Sequence, residues 1–311
     1  MFSSPDWQGL FPYTHGALTR NNFVVGCKLW RYVRNVHRME NLLTVEKIRS
    51  NPVFYSILFG LILSFLLGGF TLFFQGLHEQ VETFSLSIIF SAVNVVFVVF
   101  SAALLGVIIQ GNGFKYIFKM RGTVKALIAL LPVISFFVFS LLVNANSMIF
   151  SDTEGLSVFP IIAVSQITSA FVQNVLFRGL LVTALLAKFS STKGGRVKSV
   201  FIASALYLII YVPLNVISGG VEFMQIINTF VVGSGFCAAY LYSKNLLGLI
   251  AVQGIWMVLG SAITAFGTEN HATFPPILGI AMLFILVMIV IFAVLFSRRA
   301  EPFVDNITSK Y

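Results

Sequence analysis

The sequence predicts an all-α, polytopic membrane helix bundle with about eight transmembrane helices. Three observations predict this fold class: 58% of the residues are hydrophobic, only 10% are charged, and the mean hydropathy is +0.93. A soluble domain carries about 25% charged residues, and so large an apolar surplus cannot be hidden inside a soluble core. We therefore expect much of the outer surface to face lipid.

Eight apolar runs are long enough to cross a bilayer as helices. A spanning helix takes roughly 20 residues, because every backbone donor and acceptor must be satisfied within the segment. The predicted spans are 54–75, 87–110, 125–144, 158–187, 198–217, 224–243, 246–267 and 276–297. Only Ser243, Lys244 and Asn245 separate the sixth span from the seventh, so we expect a tight helical hairpin there.

The placement of basic residues predicts the topology. All of the 20 Lys and Arg residues except Arg178 lie in the N-terminal arm, in or beside alternate loops, or in the C-terminal tail. The other loops carry no Lys or Arg and hold Glu79, Glu82, Asp152, Glu154, Glu222 and Glu269. The positive-inside rule then places both termini in the cytoplasm, and we expect a multi-pass protein of the cell membrane. The net charge of +9 is explained by anionic lipid headgroups and requires no nucleic acid partner.

The chain is predicted to have a cytoplasmic arm, a transmembrane bundle and a short cytoplasmic tail, at residues 1–50, 51–299 and 300–311. Within the arm, four basic residues share one helical face, opposite an apolar face with an aromatic anchor; the membrane-surface candidates are Lys28, Trp30, Arg31, Arg34 and Arg38. This pattern is typical of a helix lying in the headgroup plane. A helix that packs on the cytoplasmic ends of the bundle is the alternative.

Arg178 is the only basic residue well inside a predicted span, and no Asp, Glu or His lies within one. Ionisable side chains in a membrane are costly, so they mark candidate functional sites. Arg178 precedes Lys188 by ten residues, which corresponds to roughly 15 Å along a helix and to the middle of a ~30 Å core. Its guanidinium either lies in an interior polar pocket, with Asn174 as its i,i+4 neighbour, or snorkels to the cytoplasmic headgroups.

The fourth span contains the stretch Gln-Asn-Val-Leu-Phe-Arg-Gly at residues 173–179. It resembles the first motif of the CAAX-protease and bacteriocin-processing (CPBP/Abi) membrane family. In that motif two glutamates are followed, after three residues, by arginine, usually as EExxFRG. The spacing and the Phe-Arg-Gly agree, whereas Gln173 and Asn174 replace the glutamates.

The fifth and seventh spans resemble the second and third motifs of the same family. The second motif is an aromatic residue followed four later by histidine, and here Tyr207 is followed by Tyr211. The third motif is histidine followed four later by asparagine, and here Gln253 is followed by Met257. The resemblance covers residues 155–262 and implies a family-like core formed by spans four to seven.

This register implies that the motif positions meet in a vestigial site. We refer to the set as the polar cluster: Gln173, Asn174, Arg178, Tyr207, Tyr211, Gln253 and Met257. We expect Arg178 to form a hydrogen bond with at least one of the amides or tyrosines, because buried donors without partners are destabilising.

The replacements imply a degenerate, non-catalytic member of the family. In the family the glutamates and histidines are thought to activate water, which requires a group that titrates near neutral pH, and amides do not titrate. Two amides and two tyrosines are also a poor ligand set for a metal ion, so no metal or cofactor is expected.

We expect a membrane scaffold or regulator that contacts lipid and binds another cell-envelope protein through its helices. Degenerate members of this family in Gram-positive bacteria are associated with cell-wall enzymes and signalling proteins. A bacteriocin self-immunity protein is one alternative. A small-molecule or lipid transporter is a second, although no intramembrane carboxylate is present to couple ions.

Overall fold

The computed structural model describes eight stretches of the chain: residues 45–77, 83–109, 112–146, 148–150, 159–189, 192–217, 223–269 and 276–300. The chain divides into two compact units, Met1–Lys47 and Ile48–Tyr311, close to the predicted boundary at residue 50. The predicted membrane-surface residues of the arm, from Lys28 to Arg38, lie outside the described residues, as does the tail after residue 300.

The described chain is helical apart from two short strands. Its helices are α1 Val45–Ser50, α2 Pro52–Leu77, α3 Thr83–Ile108, α4 Gly113–Ile117, α5 Thr123–Asn146, α6 Phe159–Gln173, a π-helix at Asn174–Val182, α7 Thr183–Phe189, α8 Gly195–Ile217, α9 Phe223–Ser243, α10 Leu246–Phe266 and α11 Pro276–Arg299. The strands are β1 Met148–Phe150 and β2 Gly267–Glu269, paired antiparallel with Met148 opposite Glu269. The all-α fold class is confirmed.

The eight predicted spans coincide with eight long helical segments, since α6, the π-helix and α7 run on as one. Over the described residues, five of them are long and apolar enough to cross a membrane: Thr123–Val143, Ile162–Phe189, Phe223–Ser243, Leu246–Ile263 and Leu278–Arg299. Two further apolar helices, Pro52–Leu63 and Ser91–Val107, are shorter in their described parts. The chain is therefore a helical membrane protein, and the orientation of its termini stays a prediction.

Burial separates the central helix of the bundle from the peripheral ones. Within an apolar stretch of 18 residues in Ile162–Phe189, 89% of the residues are buried, compared with 17% in the corresponding stretch of Leu278–Arg299 on α11. The exposed side chains of α11 are large and apolar, among them Ile280, Leu283, Phe284 and Val287. Such a surface is unfavourable in water and matches the hydrocarbon of a bilayer.

Hydroxyl groups inside the helices are satisfied by their own backbone. The side chains of Ser101, Ser199 and Ser204 each donate to the carbonyl four residues earlier, at 2.8–2.9 Å. Ser204 Oγ also lies 3.8 Å from Cys237 Sγ on α9. The bond to the helix's own backbone satisfies the hydroxyl donor, which explains how apolar helices accommodate so many serines.

The turn between α9 and α10 is short, as predicted, but the two helices do not form a hairpin packed along its length. Lys244 adopts a positive φ of 52° in a connection of two residues. Beyond it, α9 packs mainly on α11, α5 and α8, whereas α10 packs mainly on α6 and α5.

The buried side chain of Asn245 fixes this turn. Its Nδ2 donates to the carbonyl of Lys119 at 2.7 Å and to Thr123 Oγ1 at 3.2 Å, while its Oδ1 accepts from the Gly248 N–H at 2.6 Å. One side chain thereby caps the start of α10 and ties it to the loop before α5. The sequence analysis assigned Asn245 no role.

Candidate functional site

The first motif lies on the π-helix, whose nine residues are all buried. In a π-helix each N–H bonds five residues back instead of four, so side chains are displaced from their α-helical positions. The predicted i,i+4 pairing of Asn174 with Arg178 assumed an α-helix, and that assumption was wrong. π-Helical turns are rare, and they are frequent at functional sites.

Hydrogen bonds join the three motifs across α6, α8 and α10. Gln173 is the centre: its Oε1 accepts from Tyr207 Oη at 2.9 Å and from Gln253 Nε2 at 2.6 Å. Its Nε2 donates to Ser169 Oγ, one turn earlier, at 2.9 Å. The motif positions of spans four, five and seven thus meet as the family register implied.

Asn174 and Met257 are connected to the same group of side chains through Gln253. Asn174 Nδ2 donates to Gln253 Oε1 at 3.0 Å and to the Ala170 carbonyl at 2.7 Å. Gln253 Nε2 lies 3.6 Å from the thioether sulfur of Met257, at the distance of a weak hydrogen bond. Asn174 is fully buried and Gln253 is 7% exposed, so these bonds form away from bulk solvent.

Arg178 is buried between aromatic rings. Only 2% of its surface is exposed, which excludes the snorkelling alternative and favours the interior pocket. Its Cζ lies 5.1 Å from the centroid of the Tyr207 ring and 5.2 Å from that of Phe236. These are cation–π distances, and the thiol of Cys237 lies nearby as a further neighbour.

Two of the three guanidinium nitrogens of Arg178 do not form the hydrogen bonds that were expected. These are Nε and Nη1, which are buried and have no hydrogen-bond partner. The amides of Gln173 and Gln253 bond to each other instead, because their donors and acceptors are complementary and the guanidinium faces the rings. The prediction that Arg178 is bound into the polar cluster was therefore wrong for these two nitrogens, although its position was right.

The polar cluster borders a cavity of about 140 Å³. The described residues that line it are Phe137, Gln173, Arg178, Tyr207, Thr229, Val232, Gly233, Phe236, Gln253, Trp256 and Met257. Its wall is rigid where Trp256 stacks on Phe137, with ring centroids 4.3 Å apart and planes inclined by 3°. The cavity therefore has a preformed aromatic side and a polar side.

Five members of the polar cluster line the cavity, and a sixth, Asn174, is bonded to them. The side chain of Tyr211 lies outside the described residues. The sequence analysis missed the aromatic wall. Trp256 could have been found, since it follows Gln253 by one helical turn, whereas Phe137 and Phe236 lie in no motif.

The described lining of the cavity contains no histidine and no carboxylate. It consists of amides, a phenol, a hydroxyl, a guanidinium, a thioether and apolar side chains. In the sequence, residues 155–262 contain no histidine and a single carboxylate, Glu222. General-base activation of water would need such a group at the reacting atoms.

The family model described as Type II CAAX prenyl endopeptidase Rce1-like matches residues 155–259. No curated protein and no solved structure matches the chain. The matched segment contains all three motifs, the π-helix and every member of the polar cluster. The predicted resemblance to the CAAX-protease membrane family is therefore confirmed for residues 155–259, and the chain is a helical membrane protein similar to that family over this segment.

Proposed function

We propose that this protein is a non-catalytic relative of the CAAX proteases that serves as a scaffold or regulator of another cell-envelope protein. The observation that carries the proposal is the bonding of Gln173, which accepts from both Tyr207 and Gln253. In a hydrolase the same position would hold a carboxylate that polarises water. Here the amide joins three helices instead.

The chemistry of the replacements supports a loss of hydrolysis. An amide neither takes up nor releases a proton near neutral pH, so Gln173, Asn174 and Gln253 cannot act as the general base. Tyr211 stands where the family's second motif has histidine, and a phenol does not take over the role of an imidazole as general base. Restoring glutamates at 173 and 174 alone would still leave the site without an imidazole.

The hydrogen bonds of the site also suit a scaffold. They link α6, α8 and α10 in a buried environment, where a satisfied amide pair contributes about 0.5–1.5 kcal/mol net and a broken one costs more. Such links hold helix faces in fixed relative positions. A fixed arrangement of exposed apolar helices is what a membrane partner would need in order to recognise this chain.

Turnover tests the non-catalytic part of the proposal. The full chain, purified in mild detergent, is incubated with a fluorogenic prenylated peptide ending in a CAAX sequence, beside an active family enzyme as positive control. We expect no cleavage above the detergent blank, and none from the double variant Gln173→Glu/Asn174→Glu. Cleavage by the wild type that is lost in Gln253→Leu would refute the proposal.

Co-purification tests the scaffold part. Chemical cross-linking in the native host, followed by mild-detergent purification and mass spectrometry, should yield one membrane or envelope protein in near-stoichiometric amount. The test variant is Tyr207→Phe, which removes one hydroxyl from the polar cluster. It should lower the amount of partner that co-purifies without abolishing expression of the protein. Sensitivity to a bacteriocin after gene deletion, with no such complex, would support the immunity alternative instead.

A further inference from the structure

Among the residues that the structure describes, no carboxylate lines the cavity beside Arg178. An arginine side chain in a protein carries a positive charge. No predicted span contains a carboxylate, and the nearest acidic residues in sequence on either side, Glu154 and Glu222, are predicted to lie between spans. The rings of Tyr207 and Phe236 stabilise the cation in part, but they supply no acceptor for its N–H groups. A buried cation whose N–H groups lack acceptors is unfavourable, and an anion in the adjoining cavity would supply them.

The cavity beside Arg178 has the size of a small ligand. Its volume of about 140 Å³ is close to that of an engineered protein cavity of about 150 Å³ that holds one benzene. A ligand of about six non-hydrogen atoms would therefore fill this volume. A prenyl group or a peptide is larger, so the proposed occupant differs from a substrate of the matched family.

The two sides of the cavity define the chemistry of the occupant. Arg178 borders the space, and its Nε and Nη1 are buried and have no acceptor. Trp256 and Met257, which are apolar and polarisable, also line it. A ligand that matches both features combines an anionic group that accepts hydrogen bonds with a short apolar part.

We propose that this cavity binds a small aliphatic carboxylate of about six non-hydrogen atoms, such as butyrate, with its charged group at Arg178 and its alkyl chain against Trp256 and Met257. The anion neutralises the guanidinium in a low-dielectric site, where charge-assisted hydrogen bonds are strong. This site adds ligand sensing to the proposed scaffold but does not depend on it, because binding requires neither a partner protein nor peptide cleavage.

Equilibrium binding of radiolabelled butyrate to the full chain in detergent is the direct test. The ionic strength is kept constant with sodium Hepes, whose anion is too large for the cavity. We expect saturable binding at one site per chain and no competition from butyramide, which has the same shape without the charge. Binding that does not saturate, equal competition by butyramide, or preferential binding of chloride would overturn the proposal.

Two variants of Arg178 test whether its positive charge, and not only the volume of the cavity, is required for butyrate binding. Arg178→Gln removes the cation and should weaken butyrate binding by at least about tenfold, since one charge-assisted contact is lost. Arg178→Lys keeps the charge and should retain the preference for butyrate over butyramide. An Arg178→Gln protein that binds butyrate as tightly as the wild type would refute the site.

Gly233 provides a test that leaves Arg178 intact. It lines the cavity, and a Cβ added there meets Ser204 and Tyr207 at 3.8 Å, in ordinary van der Waals contact, so Gly233→Leu adds bulk to the cavity lining beside Tyr207. We expect this variant to fold and to lose butyrate binding. The matched control is Gly279→Leu on α11, which does not line this cavity and where nothing lies within 4 Å of the added Cβ. Retained binding in Gly233→Leu would contradict the proposed location.

Discussion

Two glycines of α9, two residues apart, make a matched pair for testing how closely the helices of the bundle pack. A Cβ added at Gly235 would lie 2.7 Å from Val133 Cγ2 on α5 and 2.9 Å from Ile289 Cγ2 on α11. A Cβ added at Gly233 would meet its nearest neighbours, Ser204 and Tyr207, at 3.8 Å. The first position is overfilled by a single methyl group, and the second has room for it.

The expected difference follows from these distances. Val133 and Ile289 are β-branched and stiff at χ1, so their methyl groups cannot rotate away, and overpacking of this kind costs about 1–3 kcal/mol. Replacing glycine by alanine in a helix also contributes up to about 1 kcal/mol in favour of the folded state. Because that gain is common to both positions, Gly235→Ala should be less stable than Gly233→Ala by about 1–3 kcal/mol.

Reversible unfolding of the purified chain in mixed micelles measures the two free energies under one condition. The double variant Gly235→Ala/Val133→Ala removes one of the two clashing methyl groups and should recover part of the loss, which a double-mutant cycle quantifies. If Gly235→Ala is as stable as Gly233→Ala, then α5, α9 and α11 do not approach as closely as described, and the packing argument fails.

Three further predictions concern topology, the arm and the α9–α10 turn. Single cysteines at positions 80, 153 and 270 should be labelled by a membrane-impermeant thiol reagent from outside, and those at the exposed positions 120 and 193 only after permeabilisation; outside labelling at 120 would refute the eight-span topology. A peptide of residues 28–39 should gain helicity on anionic vesicles and dissociate as salt rises, whereas equal affinity for neutral vesicles would contradict an interfacial helix. Asn245→Ala should lower the free energy of unfolding by about 1–3 kcal/mol, since it removes both a helix cap and the bonds to the loop before α5. Asn245→Asp keeps the oxygen that caps α10 and should lower the free energy of unfolding by less. An equal loss in the two variants would count against the capping role.

Much of the architecture could be predicted from the sequence because the bilayer imposes simple rules on it. Each helix needs a long apolar run, and eight such runs coincide with eight helical segments to within a few residues. The register of the three motifs was sufficient to predict that Gln173, Tyr207 and Gln253 lie close together, because the spacing of the motifs along the helices allows few ways to arrange these side chains. The divergence of α9 and α10 beyond their short turn was not predictable in the same way, because helix–helix packing depends on the shapes of side chains from several spans.

Within the site, the identity of the residues and their geometry had different origins. Sequence alone determined that the chain is a membrane helix bundle, that its motif positions carry Gln173, Asn174, Tyr207 and Gln253 in place of acid–base residues, and that Arg178 is the one cation deep in a span. Only the tertiary structure decided what Arg178 contacts. The π-helix moves it out of α-helical phase, and the complementary amides pair with each other. The guanidinium is left between two rings beside a cavity, because hydrogen bonds across helices depend on distances that no sequence spacing encodes.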